Sequence, residues 1–351
     1  MNVMLKKYGS YIFNAIFIIV LSAVTVYMIF KDQEMDTIFS YITLANPIYL
    51  IIGFLMMLTF VCSESVIINY LMNTFSCKVR FRTCIKYSFV GFFVSAITPS
   101  ASGGQPAQLY YMKNDGIKIS ISSIVLMIIT IVYKSVLLIL GLFMFATEFS
   151  FVMQYMKGIE FILLFGIIIN IFVVMFLFFV IFKQSFAKKV LVAPVVFLGR
   201  HRIIRNYCEL SHNILKGIKK YESCADYLKT HKVVFLNTFV ITVFQRLCLF
   251  FVTYLVYRSF GLSGTSAYQI VTLQTMIALS VDILPLPGGL GASESIFIIL
   301  FSSIFTADYV LPGLLLSRGI THYALIILGA IVTAYAQFTM KRKKNTKSIG
   351  E

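Results

Sequence analysis

The chain has 351 residues, 59% of them hydrophobic and only 13% charged, with a formal net charge of +16. Soluble domains carry about a quarter charged residues, so this balance excludes an ordinary soluble enzyme and indicates an all-α polytopic membrane protein. The positive excess does not indicate nucleic acid, because no nucleic-acid-binding motif is present and the basic residues obey a membrane topology rule.

The first apolar run, Ser10–Phe30, follows Lys6 and Lys7 and lacks a small-residue cleavage site. It is expected to be a retained span and not a removed signal. Crossing a bilayer takes about 20 apolar residues. Ile48–Leu71, Ile119–Ala146, Phe161–Phe182, Val233–Tyr257 and Leu311–Phe338 meet that requirement, giving six spans. Two further apolar regions, Ile85–Met112 and Tyr268–Phe305, are interrupted. The first break is Thr98–Pro106, TPSASGGQP, and the second is Val281–Ser295, VDILPLPGGLGASES. Pro285, Pro287, Gly288, Gly289 and Gly291 preclude a continuous helix. Broken backbone at membrane depth survives only where protein buries it or where it lines a watery cavity. One such break in each half points to an inverted repeat with a binding site between the breaks.

Charge placement orients these elements. Clusters at Lys6/Lys7, Lys78–Lys86, Lys113/Lys118, Lys183–Lys232 and Lys341–Lys347 hold 24 of the 30 Lys and Arg. The intervening loops carry Asp32, Glu34, Asp36, Glu148, Glu160 and Asp308. With the basic clusters inside, both termini are cytoplasmic. The six spans then alternate only if each broken region returns to its side of entry. The expected architecture is six full spans plus two re-entrant helical hairpins of opposite polarity. Residues 1–340 form the membrane domain, and 341–351 form a basic cytoplasmic tail.

Within the basic loop 183–232, Ile203, Tyr207, Leu210, Ile214, Ile218 and Tyr221 recur at helical spacing among Arg and Lys. This reads either as an amphipathic helix on anionic inner-leaflet lipids or as a helix capping the bundle. The six cysteines show no CxxC pair and no zinc spacing, so they read as reduced and structural.

Six ionisable residues fall inside spans or hairpins: Glu64, Lys134, Arg246, Asp282, Glu294 and Arg318. A lone charge there is costly, so internal ion pairs that set helix register are one reading, weightiest for Glu64 and Arg246. Ligand binding is the other, weightiest for Glu294. A half-helix beginning after Gly288, Gly289 and Gly291 offers N–H groups to an anion such as a lipid phosphate. Ser100, Ser102, Gly103, Gly104 and Gln105 offer hydroxyl, backbone and amide contacts from the other break. Lys134, Arg246 and Arg318 would neutralise a phosphate, while Asp282 and Glu294 would hold an amine or a proton. His322 reads as a packing residue before a proton relay. No hydrolase, zinc-protease or nucleotide-binding motif occurs, so no catalytic residue, metal or cofactor is expected.

At the same two breaks the chain resembles the lysylphosphatidylglycerol synthase transmembrane, or flippase-domain, family of bacterial inner-membrane proteins. Thr98–Pro106 is similar to that family's proline, small-residue, Gly-Gly-Glu-Pro pattern. Leu284–Glu294 is similar to its second motif, and it is followed by Leu315–Ala330 with Arg318, Tyr323 and Gly329 in the expected places. Gln105 stands where the family usually has glutamate, so any role of that carboxylate in relatives is not available here. Full synthases carry a cytoplasmic domain that lysylates phosphatidylglycerol from lysyl-tRNA. Their membrane part is associated with moving the product outward and with resistance to cationic antimicrobial peptides. No loop here reaches the roughly 100 residues that such a domain needs. The resemblance therefore implies a bacterial inner-membrane flippase for a phospholipid, with aminoacylated phosphatidylglycerol as one substrate. The rivals it implies are a phosphatidylglycerol lysyltransferase working with a soluble partner, and a scaffold for such a synthase. A homo-oligomer stays open.

Overall fold

A computed structural model describes residues 40–182, 188–200, 206–212, 214–215, 227, 230–282, 284, 286 and 289–348. The expected span Ser10–Phe30, most of the basic loop helix, Pro285, Pro287 and Gly288 lie outside the described residues. Those described form helices and turns, with no strand among them. Five helical columns are long and apolar enough to cross a membrane: 47–74, 119–147, 160–179, 232–259 and 306–340. The protein is a multi-pass membrane protein.

The first half runs α1 (Pro47–Thr74), α2 (Phe81–Ala96), a 3-10 turn (Pro99–Ala101), α3 (Gly104–Asn114) and α4 (Ile119–Thr147). After α5 (Phe149–Tyr155), α6 (Glu160–Phe182) and the loop helix α7 (Ala193–Arg200), the second half follows the same order. It comprises α8 (Lys232–Ser259), α9 (Ala267–Val281), α10 (Ala292–Phe301), and α11 (Thr306–Arg318) continuing through a π-turn into α12 (Ala324–Ser348). Long helix, broken hairpin, long helix is thus written twice. The hairpin arms α2, α3, α9 and α10 have 16, 11, 15 and 10 residues, each short of the roughly 20 that cross a bilayer.

Close glycine contacts make the first hairpin. A Cβ on Gly104 would lie 2.6 Å from the Gly91 carbonyl oxygen, and one on Gly91 would run into Gln108. Gly91 therefore faces Gln108 while Ser95 faces Gly104, and this descending register is that of antiparallel arms. At the open end, Asp115 pairs with Lys86 and accepts a 2.7 Å hydrogen bond from the Tyr87 hydroxyl. The chain thus leaves where it entered.

The halves are inverted relative to each other. Asn46 N–H donates to the Ser259 carbonyl at 2.8 Å, Gln245 Nε2 to the Phe60 carbonyl at 3.2 Å, and Asn237 Nδ2 to the Tyr70 hydroxyl at 2.9 Å. Partner numbers fall as α1 rises, so α1 and α8 lie side by side and antiparallel. The exchange is reciprocal. Gly141 of α4 admits Leu279, the thirteenth residue of α9, and Gly329 of α12 admits Phe93, the thirteenth residue of α2. Each half's last helix clasps the other half's hairpin at the same rung.

Two apolar cores flank this seam. One gathers mainly residues of α1 to α4 around Tyr87, Val90 and Val132, and the other joins residues of α4 to α6 with α8 to α11 around Leu273, Phe301 and Phe305. The outward faces stay apolar: Phe161, Ile168 and Phe172 of α6 and Ile331, Tyr335 and Phe338 of α12 are exposed, as lipid contact requires.

Candidate functional site

The first hairpin's turn is built from its own side chains. Thr98 Oγ1 donates to the Val94 carbonyl at 2.7 Å and accepts the Gly103 N–H at 3.0 Å. Ser95 Oγ donates to the Ala101 carbonyl at 3.3 Å, and Ser102 Oγ to the Pro99 carbonyl at 2.8 Å. Ala101 sits in the left-handed region at φ 53°, a conformation a non-glycine residue keeps only where its surroundings hold it.

The second break is held differently. Gly289 and Gly291 take φ values of 71° and 85°, which explains glycine at both places. The end of α9 would leave carbonyls unpaired in the membrane. Asn170 of α6 answers this, donating Nδ2 to the Leu279 carbonyl at 2.9 Å. At the start of α10, Glu294 Oε2 accepts the Gly291 N–H at 2.7 Å, and Oε1 meets Arg318 Nε at 2.9 Å. Arg318 also donates to Ser293 Oγ. The half-helix expected to offer its N–H groups to a ligand anion thus holds its own carboxylate there, with its own cation behind it.

Between the hairpins lies a cavity of about 360 Å³, within the range of ligand clefts. Its wall includes Ser95, Ala101, Ser102, Gly104, Gln105 and Gln108 from the first hairpin, with Thr130, Tyr133 and Lys134 from α4. Glu64 comes from α1, and Asp282 comes from the turn of the second hairpin. Ala101, Ser102 and Gln105 are exposed at its rim, whereas Glu64, Gly104 and Gln108 are buried at its floor. Lys134 Nζ meets Asp282 Oδ2 at 2.5 Å, closing the wall between the halves. Gln105 Nε2 donates to Thr130 Oγ1 across the rim. Gln245 Nε2 reaches Glu64 Oε2 at 3.2 Å. Arg246 lies behind the wall, its guanidinium 3.4 Å from the centre of the Tyr133 ring.

Of the residues singled out from sequence, Ser102, Gly104, Gln105, Lys134 and Asp282 share this cavity. Arg246 backs it through Tyr133. Gly103 serves the turn, and the Ser100 backbone lies in the 3-10 segment. Gly289, Gly291, Glu294 and Arg318 form the separate cluster at the head of α10, and Gly288 lies outside the described residues. Sequence reasoning set Glu64 aside and missed Ser95, Gln108, Thr130, Tyr133 and Asn170. A legible signal existed for two of these. Thr130 and Lys134, four residues apart on one face of an apolar span, have Tyr133 beside them. No cluster of metal-binding side chains occurs among the described residues.

The family model described as "Lysylphosphatidylglycerol synthase TM region" matches residues 15–329. A protein named "UPF0104 membrane protein" from Archaeoglobus fulgidus is 26% identical over 337 residues, covering 93% of this chain and 98% of the relative.

Proposed function

Because the chain belongs to the family of lysylphosphatidylglycerol synthase TM regions, we propose that it translocates the polar head of a phospholipid or related lipid between leaflets. The observation that carries this reading is the cavity where the two hairpins meet. It combines Glu64, Lys134 and Asp282 with amides and hydroxyls at mid-span, inside a protein whose outer faces are apolar. Acyl chains stay in the bilayer while the head crosses through the cavity, which replaces the water that the head gives up. The protein resides in the bacterial cytoplasmic membrane with both termini and the basic loop inside. That loop rests on anionic inner-leaflet lipids.

The test is reconstitution of the purified chain into vesicles with a leaflet-resolved lipid assay across several headgroups. Lipid movement should exceed that of protein-free vesicles and fall to their level with Glu64→Gln or Asp282→Asn. Movement no faster than in empty vesicles, or variants as active as the parent, would overturn the proposal. Lysylated lipid made by the purified chain from lysyl-tRNA and phosphatidylglycerol would instead establish the transferase reading.

A further inference from the structure

Building on the translocation reading, we infer that Glu64 is a proton-binding site coupled to the lipid head, so that an anionic phosphodiester head enters the cavity together with one proton. Three carboxylates fall within the apolar segments, and they differ in what holds them. Asp282 is fixed by Lys134, and Glu294 by Arg318. Glu64 is buried at the cavity floor and forms no ion pair among the described residues. Its Oε2 accepts a 3.2 Å hydrogen bond from the neutral Gln245 amide, whose own Oε1 is buried without a partner. The charged and titratable groups around it are Tyr133 and Lys134 of α4, Asp282 of the second hairpin, and Arg246 of α8. Arg246 stacks on Tyr133 and keeps its Nε unpartnered. From α2 and α3 come only neutral side chains, among them Ser95, Gln105 and Gln108. Protonating Asp282 or Glu294 would strip a partly buried cation of its counter-ion. Glu64 can gain a proton without breaking any such pair.

The same cavity shows why a head would bring that proton. Lys134 spends one N–H on Asp282 and has two more to give. A phosphate entering past Ser102 and Gln105, exposed at the rim, therefore finds donors on Lys134. It also carries a negative charge into the space that Glu64 borders. Like charges sharing one site of low dielectric oppose each other, and a proton on one of them removes the conflict. A hydronium ion in the cavity water passes its proton to a Glu64 carboxylate oxygen and becomes water. Head and proton then occupy the cavity with no net added charge, and each raises the affinity of the other by the same factor. On release the proton returns to water on the far side, so a proton gradient drives the head across, as carboxylates at membrane depth do in pumps and transporters. A zwitterionic head brings its own positive charge and requires no proton.

The experiment adds short-chain phosphatidylglycerol to the detergent-purified full chain in weakly buffered solution containing a pH-sensitive dye. One proton should be taken up per lipid bound. Binding should weaken by up to about tenfold per pH unit as pH rises through the titration of Glu64, the slope that one linked proton imposes. Phosphatidylethanolamine should bind without uptake. Glu64→Gln, fixed in the neutral form, should bind phosphatidylglycerol equally at every pH and take up nothing. Glu64→Asp should restore uptake with a displaced pH profile. No uptake in the parent, equal uptake with both lipids, or undiminished uptake in Glu64→Gln would overturn the inference. In vesicles, a pH gradient should collect phosphatidylglycerol in the leaflet on the alkaline side. Lipid that moves without regard to the gradient would refute the coupling and leave translocation standing. Proton uptake on binding with no lipid moved would refute translocation and leave the Glu64 site standing.

Discussion

Lys134 and Asp282 lie 148 positions apart, yet their side chains meet at 2.5 Å. Through them the last helix of the first half holds the turn of the second half's hairpin. With side chains only 24% and 14% exposed, water screens this pair weakly, so it is both a fastening between halves and part of the cavity wall.

Asp282→Ala should therefore leave an ammonium without its counter-ion and cost about 3 kcal/mol, whereas an apolar Lys134→Met/Asp282→Leu pair should regain most of that stability. Thermal unfolding of the purified variants checks this. Additive losses in the double variant would show that the two groups do not act as a unit. The double variant should still move no lipid, because the cavity loses two of its polar groups.

Asn170 holds the broken end of α9 from a different helix, bonding the Gly166 carbonyl at 3.0 Å and the Leu279 carbonyl at 2.9 Å. Asn170→Leu removes the donor and leaves the Leu279 carbonyl unpaired in an apolar setting, at a cost of about 1–3 kcal/mol. Hydrogen exchange should quicken at the end of α9 more than in α2. Uniform exchange across both hairpins would show that Asn170 is not the holder.

Gly104 tolerates no side chain, since a Cβ would lie 2.6 Å from the Gly91 carbonyl oxygen, which is backbone and cannot step aside. Gly104→Val should abolish monodisperse protein on gel filtration. Gly319→Ala is the contrasting case. Its Cβ would meet nothing within 4 Å, and alanine favours helix over glycine by at most about 1 kcal/mol, so the variant should be at least as stable as the parent.

Single cysteines in a cysteine-free background test the course of the hairpins. Those at Lys86, Lys113 and Lys118 should react with an impermeant thiol reagent from one side of the membrane. Those at Glu148, Tyr268 and Asp308 should react from the other. The Lys86–Asp115 contact requires the first group to share a side, and the Thr147–Tyr268 contact requires it of Glu148 and Tyr268. Labelling of Lys86 and Lys118 from opposite sides would mean that the first broken region crosses.

Both hairpins were legible because proline and glycine interrupt a helix through local geometry, whatever the neighbours do. The five described spans follow from run length against bilayer thickness in the same way. Opposed polarity followed from the basic clusters, and the antiparallel contact of α1 with α8 gives it a physical form. The partners of ionisable residues within the apolar segments were harder to assign. Glu294 and Arg318 read as ligand groups in the sequence, and the structure sets them against Gly291, Ser293 and each other. Glu64 looked like half of an ion pair, yet it forms the cavity floor.

Where the chain must break, how many times it can cross and which ends carry charge are properties of short segments and their solvent, so the amino-acid order alone determined them. Which charges meet depends on how far each helix is rotated about its axis and where it crosses its neighbours. Small residues such as Gly91, Gly104, Gly141 and Gly329 set those quantities by letting distant backbones touch. Only the tertiary structure therefore decided that Asp282 closes on Lys134, that Arg246 lies behind Tyr133, and that a polar cavity is left beside them.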